Sequence, residues 1–302
     1  MLIRVLGSAA GGGFPQWNAN SAANARAFSG DAAAQPRTQS SLAVSANGAH
    51  WVLLNASPDI RQQILATPAL HPKSGLRSSP IVSVVLTNGD VDHVAGLLSL
   101  RERQAFTVHA TARVLSVLGA NPIFGVLDPK CVTRAPIGFD APFAPAPGLE
   151  IAAFPVPGKV ALWLEDKAAP GFGTQDQDTI GLRIAETATG RAFFYIPGCR
   201  EMTDALAARL ARAELVFFDG TLLTDDEMIR SGEGTKTGRR MGHMPMTGEG
   251  GSVEAFRALD VARKVFVHIN NSNPVLLDDA PERAALAAEG WEIASDGQEI
   301  VL

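Results

Sequence analysis

Residues 81–98, Ile-Val-Ser-Val-Val-Leu-Thr-Asn-Gly-Asp-Val-Asp-His-Val-Ala-Gly-Leu-Leu, decide the fold class. The run 81–86 is largely β-branched and apolar throughout except for Ser83, as a strand covered on both faces requires. Val94, Leu97 and Leu98 then recur at helical spacing. Between strand and helix lies a polar loop carrying Asp90, Asp92 and His93. A strand end gives such a loop rigid support, so side chains placed there can be aimed into a cleft. Strand, polar loop and helix in this order belong to an α/β protein.

The theme repeats outward from this unit. Segments 2–6, 106–110, 149–156, 179–184, 191–196, 215–218 and 264–269 read as strands. Segments 42–45 and 51–55, separated by Asn47-Gly48, read as a hairpin because that pair tolerates positive φ. Asp59 opens a helix to residue 65. Met202, Leu206 and Leu210 make one helical face and residues 253–259 another. Early strands look antiparallel and later ones are separated by helices, which predicts two mixed sheets face to face with helices outside, one αββα domain over residues 1–302. Residues 7–39 are expected to be a loop with a mobile middle, and the Gly-rich stretches 168–178 and 229–251 are expected to lie over a site.

Composition narrows the function. With 46% hydrophobic and 19% charged residues in 302, the chain can bury roughly three quarters of its unfolded surface. The net charge of −5 offers no field for nucleic acid or an anionic membrane, and neither is expected as a partner. Residues 1–14 lack the apolar core of a signal peptide, and no run of about 18 apolar residues occurs, so a cytoplasmic protein is expected. Two cysteines, Cys131 and Cys199, exclude a cysteine-rich zinc module. Six histidines must supply any imidazole chemistry.

Asp90, Asp92 and His93 mix hard and borderline donors that suit Fe(II), Mn(II) or Zn(II). Taken alone, Asp90 or Asp92 could equally cap the helix that follows. The spacing resembles the HxHxDH motif of the metallo-β-lactamase superfamily, with Asn88 and Asp90 where that family has its leading histidines. His268, after Val265-Phe266-Val267, resembles the superfamily's late histidine, and Asp219, in Phe217-Phe218-Asp219-Gly220, its acidic strand end. Cys199 stands in place of the usual bridging aspartate. Residues 154–159 contain no middle histidine, so the first metal of a dinuclear zinc site lacks its ligands. Asp92, His93 and His268, with Asp219 as a ligand or its support, leave the two-His-one-carboxylate set of non-haem Fe(II) oxygenases.

The strings GGGFPQWN from Gly11, NASPDIRQQ from Asn55, TNGDVDHVAGLLSLRE from Thr87, PGKVALWLED from Pro157, FDGTLLTDDEM from Phe218, KTGRRMGHMPM from Lys236 and HINNSNP from His268 resemble the PqqB family of pyrroloquinoline quinone (PQQ) biosynthesis over the whole chain. The resemblance implies a metallo-β-lactamase-like sandwich and a non-haem Fe(II)- and O₂-dependent hydroxylase. Its implied substrate is a small, dipeptide-like molecule with Glu and Tyr moieties, the cross-linked intermediate of the precursor peptide, whose tyrosine ring is hydroxylated. Other PQQ biosynthesis proteins are its implied partners. Zinc is expected to copurify by affinity order. A carrier of PQQ or its precursor and a zinc-dependent hydrolase remain the rival readings. His243, Asp90 and Asn88 are the candidate catalytic groups, with Asn270 and Asn271 beside His268. Lys236, Arg239 and Arg240 are the candidate substrate-binding cations, since a guanidinium can pair with a carboxylate through two hydrogen bonds. Many relatives carry a cysteine cluster after the Trp-Asn pair; here Ala19, Ser21 and Asn24 occupy those positions, so no structural zinc is expected there.

Overall fold

The computed structural model describes residues 1–302. Strands β1 (Leu2–Gly7), β2 (Ser41–Ser45), β3 (Trp51–Leu54), β4 (Ile81–Val85), β5 (Phe106–Thr111) and β6 (Val132–Ile137) form a first sheet. A second contains β7 (Phe143–Ala146), β8 (Leu149–Pro155), β9 (Ile180–Glu186), β10 (Ala192–Ile196), β11 (Val216–Asp219), β12 (Lys264–Val267) and β13 (Trp291–Ile293). The last strand, β14 (Glu299–Val301), returns to pair with β1. In the first sheet β14, β1, β2 and β3 are antiparallel and β3 to β6 parallel. The second repeats the plan, antiparallel from β7 to β10 and parallel from β10 to β13. These are the two mixed sheets expected from the sequence.

Three apolar layers hold the sandwich. Val5, Leu54, Val85, Leu182, Phe217 and Val267 meet between the sheets. Outside the first sheet, Val84 and Leu53 pack on Ile60, Leu97 and Leu118 of the covering helices. Outside the second, Phe218 and Phe266 pack on Leu206, Phe256 and Leu286. Adjacent residues such as Val84 and Val85, or Phe217 and Phe218, thus point into different layers, which is why these strands are apolar without alternation.

Two local expectations change. The hairpin turns through five residues, 46–50, and the Asn47 side chain accepts from the Ala49 and His50 N–H groups in place of a tight two-residue turn. Residues 7–39, expected to be loop, contain the helix Ala22–Phe28. Asn24 is fully buried there; its Oδ1 accepts from Gln16 N at 2.8 Å, and its Nδ2 donates to Ser21 Oγ at 2.8 Å and to Asn271 Oδ1 at 3.0 Å. Amide hydrogen bonds close this loop at the positions where no thiolate is available. No helix is long and apolar enough to cross a membrane.

Candidate metal centre

The loops after β4, β11 and β12 converge. Thr87 N donates to Asn55 Oδ1 at 2.9 Å, after which the chain turns into the one-turn helix Val91–Val94. Asp90 occupies the N-cap position, but its carboxylate does not cap; Oδ1 accepts from Leu162 N at 2.9 Å. Asn88 Oδ1 accepts from Asp90 N at 3.0 Å and from His93 Nδ1 at 2.6 Å. An amide oxygen only accepts, so the His93 proton sits on Nδ1 and the Nε2 lone pair faces away from Asn88. His93 is 1% exposed, and its Nε2 is buried without a hydrogen-bond partner.

His268 approaches from the second sheet. Its φ of 59° is the left-handed region, at a cost of about 1–3 kcal/mol for a side chain of this kind. Its Nε2 lies 3.0 Å from Asp92 Oδ2, and its Nδ1 lies 2.9 Å from Thr221 Oγ1. Thr221 Oγ1 donates to Asp219 Oδ1 at 2.6 Å, leaving its lone pairs for the His268 N–H. Donor atoms of Asp92, His93 and His268 all lie within 4.8 Å of one another. A buried, unpartnered imidazole nitrogen beside a carboxylate and a second imidazole fits one divalent cation.

Electrostatics favour the ligating forms of Asp92 and His93, whereas a metal would have to displace a proton from His268. Burial, the largest effect, pushes His93 down to about 4 although the Asp92 charge opposes it. Burial alone would raise Asp92, but His93 and His268 outweigh it and hold the carboxyl below its ordinary range. His268 is raised because the Asp92 hydrogen bond and charge overcome its burial. Asp90 is raised, first by burial and then by Asp92. The imidazole kept neutral and the carboxyl kept ionised are the forms that bind metal.

Asp219 is fully buried, and its oxygens accept from Cys199 N at 2.8 Å, Thr221 N at 3.0 Å, Thr221 Oγ1 and His243 Nδ1 at 2.7 Å. Its donor atoms also lie within 4.8 Å of those of His243 and His268. Held by four donors, the Asp219 carboxylate supports the His243 ring, whose Nε2 is left available. Cys199 is buried, with its thiol on Glu201 O at 3.2 Å. Asn271 holds Gln16, and Asn270 holds Ser272; the partner of His268 Nδ1 is Thr221, which sequence reasoning passed over.

A cavity of about 290 Å³ opens on this cluster, lined by Asn88, Asp90, Asp92, His93, His243 and His268 together with Leu162, Lys159 and Lys236. Of the two stretches expected over the site, 229–251 contributes Lys236, Met241 and His243, whereas 168–178 lines none of the cavity, its place being taken by Lys159 and Leu162 from the chain just before it. Of the three cations expected on a substrate, Lys236 lines the cavity. Arg239 instead donates to the Glu249 and Gly250 carbonyls, and Arg240 to both oxygens of Glu165. His50, His71 and His109 lie outside it.

A beta-lactamase superfamily domain matches residues 50–269. Coenzyme PQQ synthesis protein B of Methylobacterium sp. (strain 4-46) is 55% identical over 298 residues, 99% of both chains. The protein of that name from Xanthomonas euvesicatoria pv. vesicatoria is 55% identical over 302 residues, all of both chains. The chain belongs to the PqqB family. The crystal structure of Zn(2+)-bound PqqB from Methylobacterium extorquens superposes on it with a TM-score of 0.97 at 52% identity over the whole of both chains. A diphosphatase of the PhnP family, 19% identical and covering 99% of this chain and 96% of its own, shares the fold with a TM-score of 0.70. Membership of the PqqB family places the chain in PQQ synthesis.

Proposed function

We propose that this PqqB-family chain is an oxygenase that hydroxylates the tyrosine ring of a cross-linked Glu-Tyr intermediate in PQQ biosynthesis. Asp92, His93 and His268 would hold Fe(II), and Asp219 is the carboxylate behind them. The observation that carries this reading is the His93 Nε2 lone pair, buried without a partner and facing one carboxylate and one further imidazole. Asn88 and Asp90 stand where a second metal would need histidines, which favours a single ion. The Zn(2+)-bound relative supports a metal in this family, and zinc competes for the same donors. Fe(II) bound there would supply open positions for O₂.

The chain's own groups then have separate tasks. Asn88 fixes the His93 ring, and Thr221 fixes His268. Asp219 anchors His243 Nδ1, so that His243 Nε2 exchanges a proton with the phenol or its oxidised product. Asp90 and Leu162 line the cavity beside these groups. The reading places the step in the cytoplasm, with a small Glu- and Tyr-derived substrate handed over within the PQQ biosynthesis proteins. Hydroxylation puts one atom of O₂ into the ring and the other into water at the expense of a two-electron reductant, so anaerobic loading with Fe(II), then O₂ with an added two-electron reductant and mass analysis of a tyrosine-bearing substrate, tests it. Stoichiometric iron with no ring oxidation sinks it. A carrier would keep its affinity for PQQ after His93→Ala, whereas the oxygenase loses metal and turnover.

A further inference from the structure

The cavity lining combines two unlike sets of side chains. One is Asp92, His93 and His268; the other is Lys159 and Lys236. Lys159, with a side chain 13% exposed, donates to Glu165 Oε1 at 2.8 Å. Its ammonium has three N–H donors, and this contact uses one of them. Lys236 is half-buried and forms no ion pair. Asp90 on the adjoining wall accepts from Leu162 N and pairs with neither lysine.

Glu165 and Arg240 behave differently. Both Arg240 terminal nitrogens donate to Glu165, at 3.2 Å and 2.8 Å, and the guanidinium lies 3.5 Å from the centroid of the Phe172 ring. Arg240 is therefore held by Glu165 and the Phe172 ring and is not among the cavity-lining residues. The Glu165 side chain is 7% exposed, and the Arg240 hydrogen bonds hold it down to about 2, so it is a permanent anion. Glu165 thus answers two cations at once, Arg240 and Lys159, and Asp90 reaches Lys159 only by its charge, while Lys236 has no ion-pair partner.

We propose that Lys159 and Lys236 form a subsite for a carboxylate of the substrate, and that the Glu165–Arg240 pair is the brace that positions Lys159. The proposal rests on the oxygenase reading for where the substrate lies, and it concerns recognition rather than the oxidation. An anion placed between the two ammonium groups presents the rest of the molecule to Asp92, His93 and His268. Lys159 and Lys236 are then specificity-determining residues, and Glu165 is a positioning residue.

Binding to the zinc-loaded full chain, which needs no turnover, separates this from the oxygenase reading. The probes are the dipeptide Glu-Tyr, a dicarboxylate, and Gln-Tyr amide, which carries none, titrated by calorimetry. Glu-Tyr is expected to bind more tightly by about tenfold or more, in keeping with a charge-assisted contact. K159Q and K236Q each remove most of that preference and leave Gln-Tyr amide unchanged, while K236R retains it. E165Q weakens Glu-Tyr binding in the wild-type chain and adds nothing in K159Q, as a brace acting through Lys159 must. Equal binding of the two dipeptides by the wild-type chain, or K159Q and K236Q variants that bind Glu-Tyr like wild type, overturns the subsite. Tighter Glu-Tyr binding in E165Q overturns the brace. If one glutamine variant fails to fold, the other glutamine variant decides, together with the wild-type preference between the two probes. A chain that binds as expected and oxidises nothing leaves the subsite standing and counts against the oxygenase alone.

Discussion

His93 is gripped on one ring nitrogen and free on the other, and that asymmetry gives the residue-scale expectations. Truncating His93 or His268 to alanine removes a proposed ligand outright, so metal content after dialysis against zinc should fall to background. Asn88→Ala and Thr221→Val leave the donors in place and remove the groups that orient them. Loss of such support ordinarily costs about 10–100-fold in metal affinity; competition with a chromophoric chelator measures it, and unchanged affinity would exclude the orienting roles. Glu227 yields a separate expectation. It is 8% exposed and bonded to Ser272 Oγ and Leu223 N, and burial raises its carboxyl to about 7. Below the unfolded value near 4.5 both states are protonated. Between 4.5 and 7 the folded state holds a proton that the unfolded state has released, so stability falls as pH rises and levels off above 7. Glu227→Gln removes this dependence. Its stability relative to wild type should therefore improve by about 3 kcal/mol between pH 4.5 and pH 8, read from urea midpoints at the two pH values.

At the scale of elements, the site depends on how the loop after β4 is clamped to residues 55–57. Ala56 N donates to the His93 carbonyl at 2.8 Å, and Gly96 N donates to Ala56 O at 2.9 Å. A Cβ on Gly96 would lie 2.1 Å from Ser57 O and 2.8 Å from the Ala56 carbonyl carbon, backbone atoms that cannot step aside. Gly96→Ala is thus expected to lower stability by about 2 kcal/mol or more and to weaken metal binding with it. Chemical denaturation and chelator competition on one preparation check both; wild-type values in either would remove the clamp. The strand and loop of this element were readable in the sequence because a strand covered on both faces has no polar alternation to mask it. The strands that escaped notice, β6, β7, β13 and β14, are the four sheet edges. Pro136 and Pro145 interrupt β6 and β7, which only an edge tolerates, and β13 and β14 have three residues each. Within the candidate site, Asp92 and His93 stood out by residue type and spacing and His268 by its resemblance to the superfamily's late histidine, and the structure brings their donor atoms together. Thr221 and Lys159 did not stand out: a threonine after a strand and a lysine in a loop look alike whether or not they face a cavity, and only the convergence of distant loops distinguishes them. The same convergence turns Arg239 and Arg240 away, since Asp225, Glu249 and Glu165 lie closer to them than the cavity does.

The whole molecule joins two similar halves, each a sheet that is antiparallel on one side and parallel on the other. Their shared layer is largely apolar, with two buried polar side chains bridging it: Tyr195, hydrogen-bonded to Ser40 and Asn55, and Ser83, which donates to the Pro145 carbonyl of the facing sheet. Asp92 and His93 follow β4 in the first half, and His268 follows β12 in the second. A cation held by all three would bind only when both halves are folded and docked, so it stabilises them together, by about 2.7 kcal/mol at a free concentration one hundred times its dissociation constant. Two tryptophans can report on this separately. Trp51, in β3, packs outside the first sheet, and Trp291, in β13, packs outside the second, both nearly inaccessible to solvent. Variants keeping one of these and carrying phenylalanine at the other tryptophans, Trp17 and Trp163 included, should unfold in urea with the same midpoint by fluorescence. Zinc should move both midpoints by the same amount. Separate midpoints, or a zinc shift confined to one reporter, would show that the halves unfold independently and that the three donors do not act as one site.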